Sequence, residues 1–139
     1  MLFTPEVLVA SPRESQSLEH VIKGLGFTTQ SESTGSGVLA HLRGNTPDLI
    51  ILNALLPEIT GTSIAYRVKK VKRLAEVPII LLVDAHNAKL RAEAELSGVK
   101  QVILTPFQFG HMRGILSNLL AHKMALRAEE GQADFVSNT

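Results

Sequence analysis

The chain has 139 residues, of which 45% are hydrophobic and 19% charged, and its formal net charge is +1. These values fit one globular domain with a single core, and a charge so close to neutral gives no general attraction to nucleic acid or an anionic membrane. The absence of cysteine excludes disulfides, thiolate metal sites and cysteine nucleophiles, and it favours a cytoplasmic location. No apolar stretch reaches the ~20 residues that a membrane-spanning helix requires, and the first residues do not resemble a signal peptide.

Short apolar runs alternate with helical patterns in the first half of the chain. A first strand is predicted at residues 7–10, and a helix follows over residues 17–26, where apolar side chains recur at helical spacing. The polar run at residues 27–30 predicts a weaker strand at an edge of the sheet. A loop over residues 31–37, with the sequence SESTGSG, leads to a short helix over residues 38–44. The loop follows the second strand rather than the first, so we favour a plain connection over an anion site.

The alternation continues in the second half. The continuous apolar run at residues 48–53 is typical of a central parallel strand that is covered on both faces. A helix is predicted over residues 62–75, a second central strand over residues 77–83 and a helix over residues 86–98. A fifth strand is predicted at residues 101–105.

The last helix follows Pro106. We expect its apolar side chains to face the core, namely Phe107, Met112, Ile115, Leu116, Leu119 and Leu120. One domain is predicted over residues 1–124, and a polar tail or linker over residues 125–139, with disorder beyond Arg127. Met124 and Leu126 are apolar, which leaves open a linker helix toward an output domain or a dimer contact.

Strands that alternate with helices through short loops predict right-handed βαβ crossovers. The result is a parallel sheet between two helix layers, that is, a doubly wound α/β domain. Ligands bind such domains outside the carboxyl ends of the strands. The strand ends of this chain carry Ser11, Pro12, Asn53, Val83, Asp84 and Thr105. We expect the functional site among these residues.

Three segments resemble the receiver domain of response regulators, of the CheY-like chemotaxis type. LIILNALLPEITG matches the third strand, the phosphoacceptor and the loop after it, with Pro57 and Gly61 in place. VPIILLVDAH matches the fourth strand, and GVKQVILTPF matches the fifth strand and its Lys-Pro-Phe corner. The resemblance spans residues 7–123. It implies a (βα)5 flavodoxin-like three-layer sandwich with strand order 2-1-3-4-5, and a role in two-component signal transduction or a phosphorelay.

The residues that support phosphorylation in that family are replaced here. The resemblance implies a phosphoacceptor aspartate, an acidic pair that helps to bind Mg²⁺, a hydroxyl that binds phosphoryl oxygens and a lysine. The corresponding positions are Asn53, Ser11 and Pro12, Val83 and Thr105. A carboxamide has no anionic oxygen to attack phosphorus, and Mg²⁺ prefers anionic oxygen ligands. We therefore predict a degenerate pseudo-receiver that is not an enzyme, with no catalytic residue, metal or cofactor.

Other features of the site follow from the same comparison. Asp84 is the one carboxylate that we expect near the site; it could bind a cation or pair with a lysine, but we favour a helix cap. Thr105-Pro106 matches a position where the family has a cis peptide bond, and we predict one here. Val102 takes the place of the family's switch aromatic, and a short β-branched side chain has little to swing.

The resemblance also marks a partner-binding face, formed by the fourth helix, fifth strand and fifth helix. Its candidate residues are Ala92, Leu96, Val99, Met112 and Leu116. The partner would be another signalling protein or an output domain, and a homodimer stays an alternative; we expect neither a membrane nor a nucleic acid. The densest cluster of charge consists of Arg67, Lys69, Lys70, Lys72 and Arg73. We favour a solvated helix face for this cluster over a contact with nucleic acid or an acidic partner.

Phosphorylation-independent protein–protein interaction is the leading hypothesis for function. A first alternative is a small-ligand or ion sensor that uses the vacated pocket through Ser11, Asn53 and Thr105, with Asp84 at its edge. A second alternative is residual phosphotransfer through an atypical acceptor such as Asp84. The five histidines lie far apart in the sequence and predict no metal site.

Overall fold

The structure, a computed structural model, describes residues 5–121 and residue 125. The strands are β1 (Glu6–Ala10), β2 (Thr28–Ser31), β3 (Leu49–Asn53), β4 (Ile79–Asp84) and β5 (Gln101–Thr105). The helices are α1 (Ser15–Gly24), α2 (Gly35–Gly44), α3 (Gly61–Lys69), α4 (Ala88–Glu95) and α5, which is described over residues 109–121. No helix within these described residues is long and apolar enough to cross a membrane.

The five strands form one parallel sheet in the order β2-β1-β3-β4-β5. The central strands β1, β3 and β4 are apolar along almost their whole length, as expected for strands covered on both faces. The polar strand β2 lies at one edge and is largely exposed. The predicted doubly wound fold with strand order 2-1-3-4-5 is therefore confirmed.

Two apolar clusters cover the two faces of the sheet. The first packs α2, α3 and α4 against side chains such as Leu8, Ile50 and Leu81. The second packs α1 and α5 against the strand residues that alternate with those of the first cluster, such as Val7 and Ile51. Successive strand residues point to opposite faces, so a fully apolar strand supplies both clusters. The carboxyl ends of the strands are left for polar residues.

Helix α2 begins three residues earlier than predicted. The side chain of Thr34 caps it by accepting a hydrogen bond from the backbone N–H of Gly37 at 3.0 Å. Gly35 is the first helical residue, so part of the predicted loop is helical. The capping threonine explains the difference, because it satisfies a backbone donor that the first turn would otherwise leave unpaired.

The amino terminus of α2 is covered by the loop after β3. The N–H of Gly35 donates to the carbonyl of Pro57 at 3.0 Å, and the hydroxyl of Ser36 donates to the carboxylate of Glu58. A Cβ on Gly35 would lie 2.4 Å from the carbonyl oxygen of Ile59. The loop after β3 thus supplies both a carbonyl and a carboxylate to the first turn of α2.

Helix α3 is shorter than predicted and ends at Lys69. The chain then continues in three-residue turns, in which Val71 donates to the carbonyl of Val68 at 3.1 Å and Leu74 to that of Val71 at 2.9 Å. These tighter turns still carry Leu74 into the first cluster. The apolar periodicity therefore predicted the burial of Ile64, Val68 and Leu74 correctly, but Val71 of the same stripe is 42% exposed and the predicted helix was too long.

Arg73 joins these turns to the end of α2. Its guanidinium donates to the carbonyls of Leu42 and Asn45, the latter at 2.9 Å, and to the hydroxyl of Thr46. The last carbonyls of a helix have no partner within the helix, and a cation there also interacts favourably with the helix dipole. Arg73 thus has a structural role, whereas the sequence predicted only a solvated charge.

The predicted partner face is contradicted in part. Met112 and Leu116 are fully buried in the second cluster, where they hold α5 against the sheet. Leu96 is 87% exposed and Ala92 is also exposed, whereas Val99 is partly buried against the first cluster. The inward orientation predicted for the last helix is confirmed, and only Ala92 and Leu96 remain as clearly exposed members of the predicted face. Of the predicted tail at residues 125–139, residues 126–139 lie outside the described residues, as does Met124.

Candidate functional site

Four polar side chains lie together on one face of the sheet at the carboxyl ends of its strands. Val9, Ile51, Leu82 and Ile103 belong to the second cluster. The residues two positions further along have the same orientation, because side chains alternate along a strand. These residues are Ser11, Asn53, Asp84 and Thr105, with Asp84 and Thr105 paired in register. Four of the six predicted site residues therefore converge as expected.

Asn53 is held by hydrogen bonds at both of its polar atoms. Its amide nitrogen donates to the hydroxyl of Ser11 at 3.2 Å, and its carbonyl oxygen accepts from the backbone N–H of Leu55 at 2.9 Å. Ser11 is 1% exposed, so its hydroxyl depends on partners within the protein. The hydroxyl donates in turn to the carboxylate of Glu14. The side chains form one relay from Asn53 through Ser11 to Glu14.

Glu14 was not predicted as a site residue. It lies in the turn between β1 and α1, and its backbone N–H donates to the carbonyl of Ser11 at 3.1 Å, which brings the two side chains together. The Ser-x-x-Glu spacing resembles a capping box, but none forms, because Glu14 is itself the N-cap of α1 and makes no side-chain cap hydrogen bond. The expectation of a single carboxylate near the site, Asp84, was therefore wrong.

A cleft of about 320 Å³ opens over these strand ends. It is lined by Pro12, Arg13, Glu14, Asn53, Leu55, Pro57, Asp84, Leu90 and Thr105. Its charged groups are two carboxylates and one guanidinium. In the part of the chain that the structure describes, no three His, Cys, Asp or Glu side chains come together in a way that could hold a metal ion. The predicted Pro12 lines the cleft and is exposed.

Val83 does not lie at the cleft. It is fully buried in the first cluster, on the opposite face from Asn53, and the neighbouring Asp84 takes its place at the cleft. The resemblance identified the correct end of β4, but it assigned the site position to Val83, whose side chain points away from the cleft. β4 therefore presents a carboxylate at the cleft.

Asp84 is not the cap of α4. Its Oδ1 accepts from the backbone N–H of His86 at 2.8 Å, which closes the turn after β4. The N-cap of α4 is Asn87, whose side chain accepts from the N–H of Leu90 at 3.1 Å. The predicted cap was wrong by three residues, because a second Asx side chain lies closer to the helix start.

The end of β5 confirms one of the predictions. The peptide bond between Thr105 and Pro106 is cis. Val102 is partly buried against the first cluster, so a short apolar side chain occupies this position of the strand. Thr105 lines the cleft and brings no positive charge to it. The one cation of the cleft is Arg13, which comes from the turn after β1.

The sequence matches the response regulator receiver domain over residues 11–117, which is more than three quarters of the chain. Among relatives, histidine kinase P4 of Formosa agariphila is 28% identical over 103 residues, which cover 74% of this chain and 8% of that protein. The chain therefore spans less than a tenth of the length of this much larger relative.

Solved structures show the same fold. The receiver domain of a signal transduction histidine kinase from Syntrophus aciditrophicus superposes with a TM-score of 0.79 at 25% identity, covering 86% of this chain and 92% of that one. The receiver domain of sensor histidine kinase PA1611 from Pseudomonas aeruginosa, which has a magnesium ion coordinated in its active site cleft, superposes with a TM-score of 0.77 at 20% identity. That match covers 86% of this chain and 99% of the other.

Proposed function

The chain belongs to the response regulator receiver domain family of two-component signalling, and from that premise we propose that it acts without phosphorylation, by binding another protein. The observation that supports this most is the state of Asn53. Its side chain stands where the resemblance implies the phosphoacceptor, and both of its polar atoms already take part in hydrogen bonds with Ser11 and Leu55.

The chemistry of Asn53 rules out the usual acceptor step. An acyl phosphate forms when an anionic carboxylate oxygen attacks phosphorus, and the carboxamide oxygen carries no such charge. This oxygen also accepts the N–H of Leu55. The amide nitrogen, which donates to Ser11, is not a nucleophile. Asn53 is thus suited to hold the strand end in one arrangement rather than to accept a group.

The rest of the cleft gives little support for phosphoryl transfer. The Ser11 hydroxyl is committed to Glu14, and β5 ends in a neutral threonine in place of the family's lysine. A transferring phosphoryl group develops negative charge on its oxygens, which needs nearby cations. Arg13 is the one cation that lines the cleft, and two carboxylates, Glu14 and Asp84, line it as well. These carboxylates would repel an anionic phosphoryl donor.

A locked receiver can still signal by binding. A constitutive docking module needs no shift between two conformations, so the loss of the switch does not abolish contact with a partner. Exposed apolar side chains on the surface are consistent with such contact, with Leu96 at 87% and Leu55 at 57% exposure. The relative that is a histidine kinase carries its matching segment within a much longer chain, which supports another signalling protein or an output domain as the partner. We place this interaction in the cytoplasm.

A small-ligand or ion sensor is the second candidate. It is favoured by the cleft itself, which combines Glu14, Asp84 and Arg13 with the neutral Asn53 and Thr105 in about 320 Å³. Such a mixture suits a small zwitterionic or cationic molecule rather than a phosphoryl group. In this case, the cleft would respond to a ligand and not to a phosphodonor.

Intact-mass measurement tests the proposal. The purified protein is incubated with Mg²⁺ and a small acyl phosphate, and the increase of one phosphoryl group is sought. We expect no increase for the wild type or for Asp84→Asn. A covalent phosphoryl group on the wild type that Asp84→Asn abolishes would instead establish Asp84 as the acceptor and overturn the proposal.

A further inference from the structure

A groove between α2 and α3 lies on the side of the fold away from α1 and α5. Its volume is about 330 Å³. Apolar side chains form most of its lining, namely Leu39, Leu42, Val68, Val71 and Leu74. Three guanidiniums line it as well, those of Arg43, Arg67 and Arg73. The cleft at the strand ends shares none of these residues.

The apolar lining is partly open to solvent. Val71 is 42% exposed and Leu39 is partly buried, whereas Leu42, Val68 and Leu74 are almost fully buried at the base. α3 ends at Lys69, and the turns that follow supply Val71, Arg73 and Leu74 to the lining. An apolar concavity of this kind accepts a side chain from a partner, because water next to it is displaced on binding.

The charged side chains that line the groove are all cationic, although Glu58 and Glu76 flank the segment that supplies most of them. Residues 59–75 contain five cations and no acidic residue. Arg73 donates to the end of α2, and Lys70 lies over the ring of Tyr66, with Nζ 4.1 Å from the ring centroid. Arg43 and Arg67 remain, and no carboxylate among the described residues forms an ion pair with either.

We propose that this groove binds an acidic peptide segment of a partner protein, anchored by an apolar side chain. The guanidiniums of Arg43 and Arg67 would pair with carboxylates, and the apolar anchor would contact Val71 and Leu39. Arginine is suited to this role because its planar fork binds a carboxylate through two hydrogen bonds. The inference rests on the proposed function only in that the domain acts by binding another protein.

The shape of the site favours a peptide over other polyanions. Nucleic-acid binding relies on phosphate contacts and on aromatic or polar groups that reach bases, whereas the base of this groove is aliphatic. A membrane surface would need an apolar face that projects outward, and here the aliphatic side chains line a concavity. A peptide side chain between flanking carboxylates matches both the apolar lining and the charged rim.

The test uses the full chain and a synthetic amphipathic peptide with leucine and phenylalanine on one helical face and glutamates on the other. The matched control peptide carries lysine in place of each glutamate. Binding is followed by fluorescence anisotropy and by amide NMR shifts. We expect the acidic peptide to bind saturably and the control peptide not to bind. The NMR shifts should be centred on Arg43, Arg67 and Val71, and the affinity should fall as the salt concentration rises.

Variants separate the groove from general charge attraction. Arg67→Glu and Val71→Ser are each expected to weaken the acidic peptide about tenfold, the usual effect of removing a central contact. Lys89→Glu on α4 is the control, since it removes one exposed cation outside the groove, and it should change binding less than about twofold. Circular dichroism confirms that each variant is folded.

Four outcomes would overturn the inference. The acidic peptide could fail to saturate, or it could bind Lys89→Glu as weakly as Arg67→Glu. Anionic phospholipid vesicles or double-stranded DNA could bind this face more tightly than the peptide does. A synthetic peptide of residues 126–139 could displace the acidic peptide from the groove at lower concentration, which would make the chain's own segment the occupant. None of these results depends on whether the protein is phosphorylated.

Discussion

Asn53 donates its side-chain amide to the hydroxyl of Ser11 at 3.2 Å, and this contact joins the ends of β3 and β1. The hydroxyl donates its own proton in a hydrogen bond to Glu14, so it acts as both acceptor and donor in the relay. A carboxylate in place of the amide could not donate. The amide therefore fits this site because it connects two strand ends that a second carboxylate would push apart.

Replacement of Asn53 by aspartate tests this relay. Asn53→Asp keeps the acceptor for the N–H of Leu55 but puts a second carboxylate next to the one hydroxyl that Glu14 already uses. We expect the free energy of unfolding, measured in urea at neutral pH, to fall by about 1 kcal/mol. Adding Glu14→Gln to that variant should restore most of the loss. An Asn53→Asp variant as stable as the wild type would show that the relay has no energetic role.

The junction between β3 and α3 requires a glycine. A Cβ on Gly61 would lie 2.2 Å from the carbonyl oxygen and 2.9 Å from the carbonyl carbon of Asn53, and backbone atoms cannot move aside as a flexible side chain can. Gly61→Ala is expected to cost about 3 kcal/mol, because the loop must shift.

Gly24→Ala provides the matched control for that loss. Gly24 ends α1, and a Cβ added to it would meet no atom within 4 Å, so alanine there should be neutral or stabilise the helix by up to about 1 kcal/mol. Thermal unfolding of both variants distinguishes the two sites. Equal effects of the two alanines would contradict the close approach at Gly61.

The hydrogen bonds of Arg73 predict that its replacement lowers the stability of the protein, although its side chain lies at the surface. Arg73→Ala removes donors to the carbonyls of Leu42 and Asn45 at the end of α2 and should destabilise the protein by about 1–3 kcal/mol. Lys72→Ala, which removes the neighbouring exposed cation, should change stability by less than about 0.5 kcal/mol. If both variants unfold at the same urea concentration as the wild type, these hydrogen bonds do not stabilise α2.

The stability of two variants tests which apolar residues of the predicted partner face are buried and which are exposed. Met112→Ala leaves a cavity in the second cluster and should cost about 2–5 kcal/mol. Leu96→Ala removes a side chain that is 87% exposed and should leave the urea midpoint almost unchanged. The reverse order of stabilities would show that α5 does not pack as described.

The fold could be predicted from the sequence because several independent patterns indicate the same architecture. The apolar runs at β3 and β4, the helical periodicities between strands and the short loops all predict the same layered architecture. Element ends were predicted less well. Thr34 starts α2 early, and tight turns replace the last part of α3, because local capping and packing decide where a helix ends.

The site followed only in part, and the errors have a common physical origin. Val83 and Asp84 are adjacent, and one residue of offset in β4 moves a side chain from the cleft to the core. Glu14 reaches the cleft through a turn whose shape depends on the short connection to α1, so strand ends alone did not reveal it. The role of Arg73 could not be predicted from its cluster of cations, because it depends on the packing of the turns after α3 against the end of α2.

The most direct test of the central claim is an amide NMR titration of the labelled full chain with Mg²⁺ and then with beryllofluoride, a mimic of the phosphoryl group. We predict no saturable shifts at Asn53, Asp84 and Thr105, with the same spectrum before and after each addition. A phosphorylatable receiver domain treated identically serves as the positive control. Saturable shifts around Asn53 with beryllofluoride would contradict the claim and establish this chain as a receiver that still binds a phosphoryl group in its cleft.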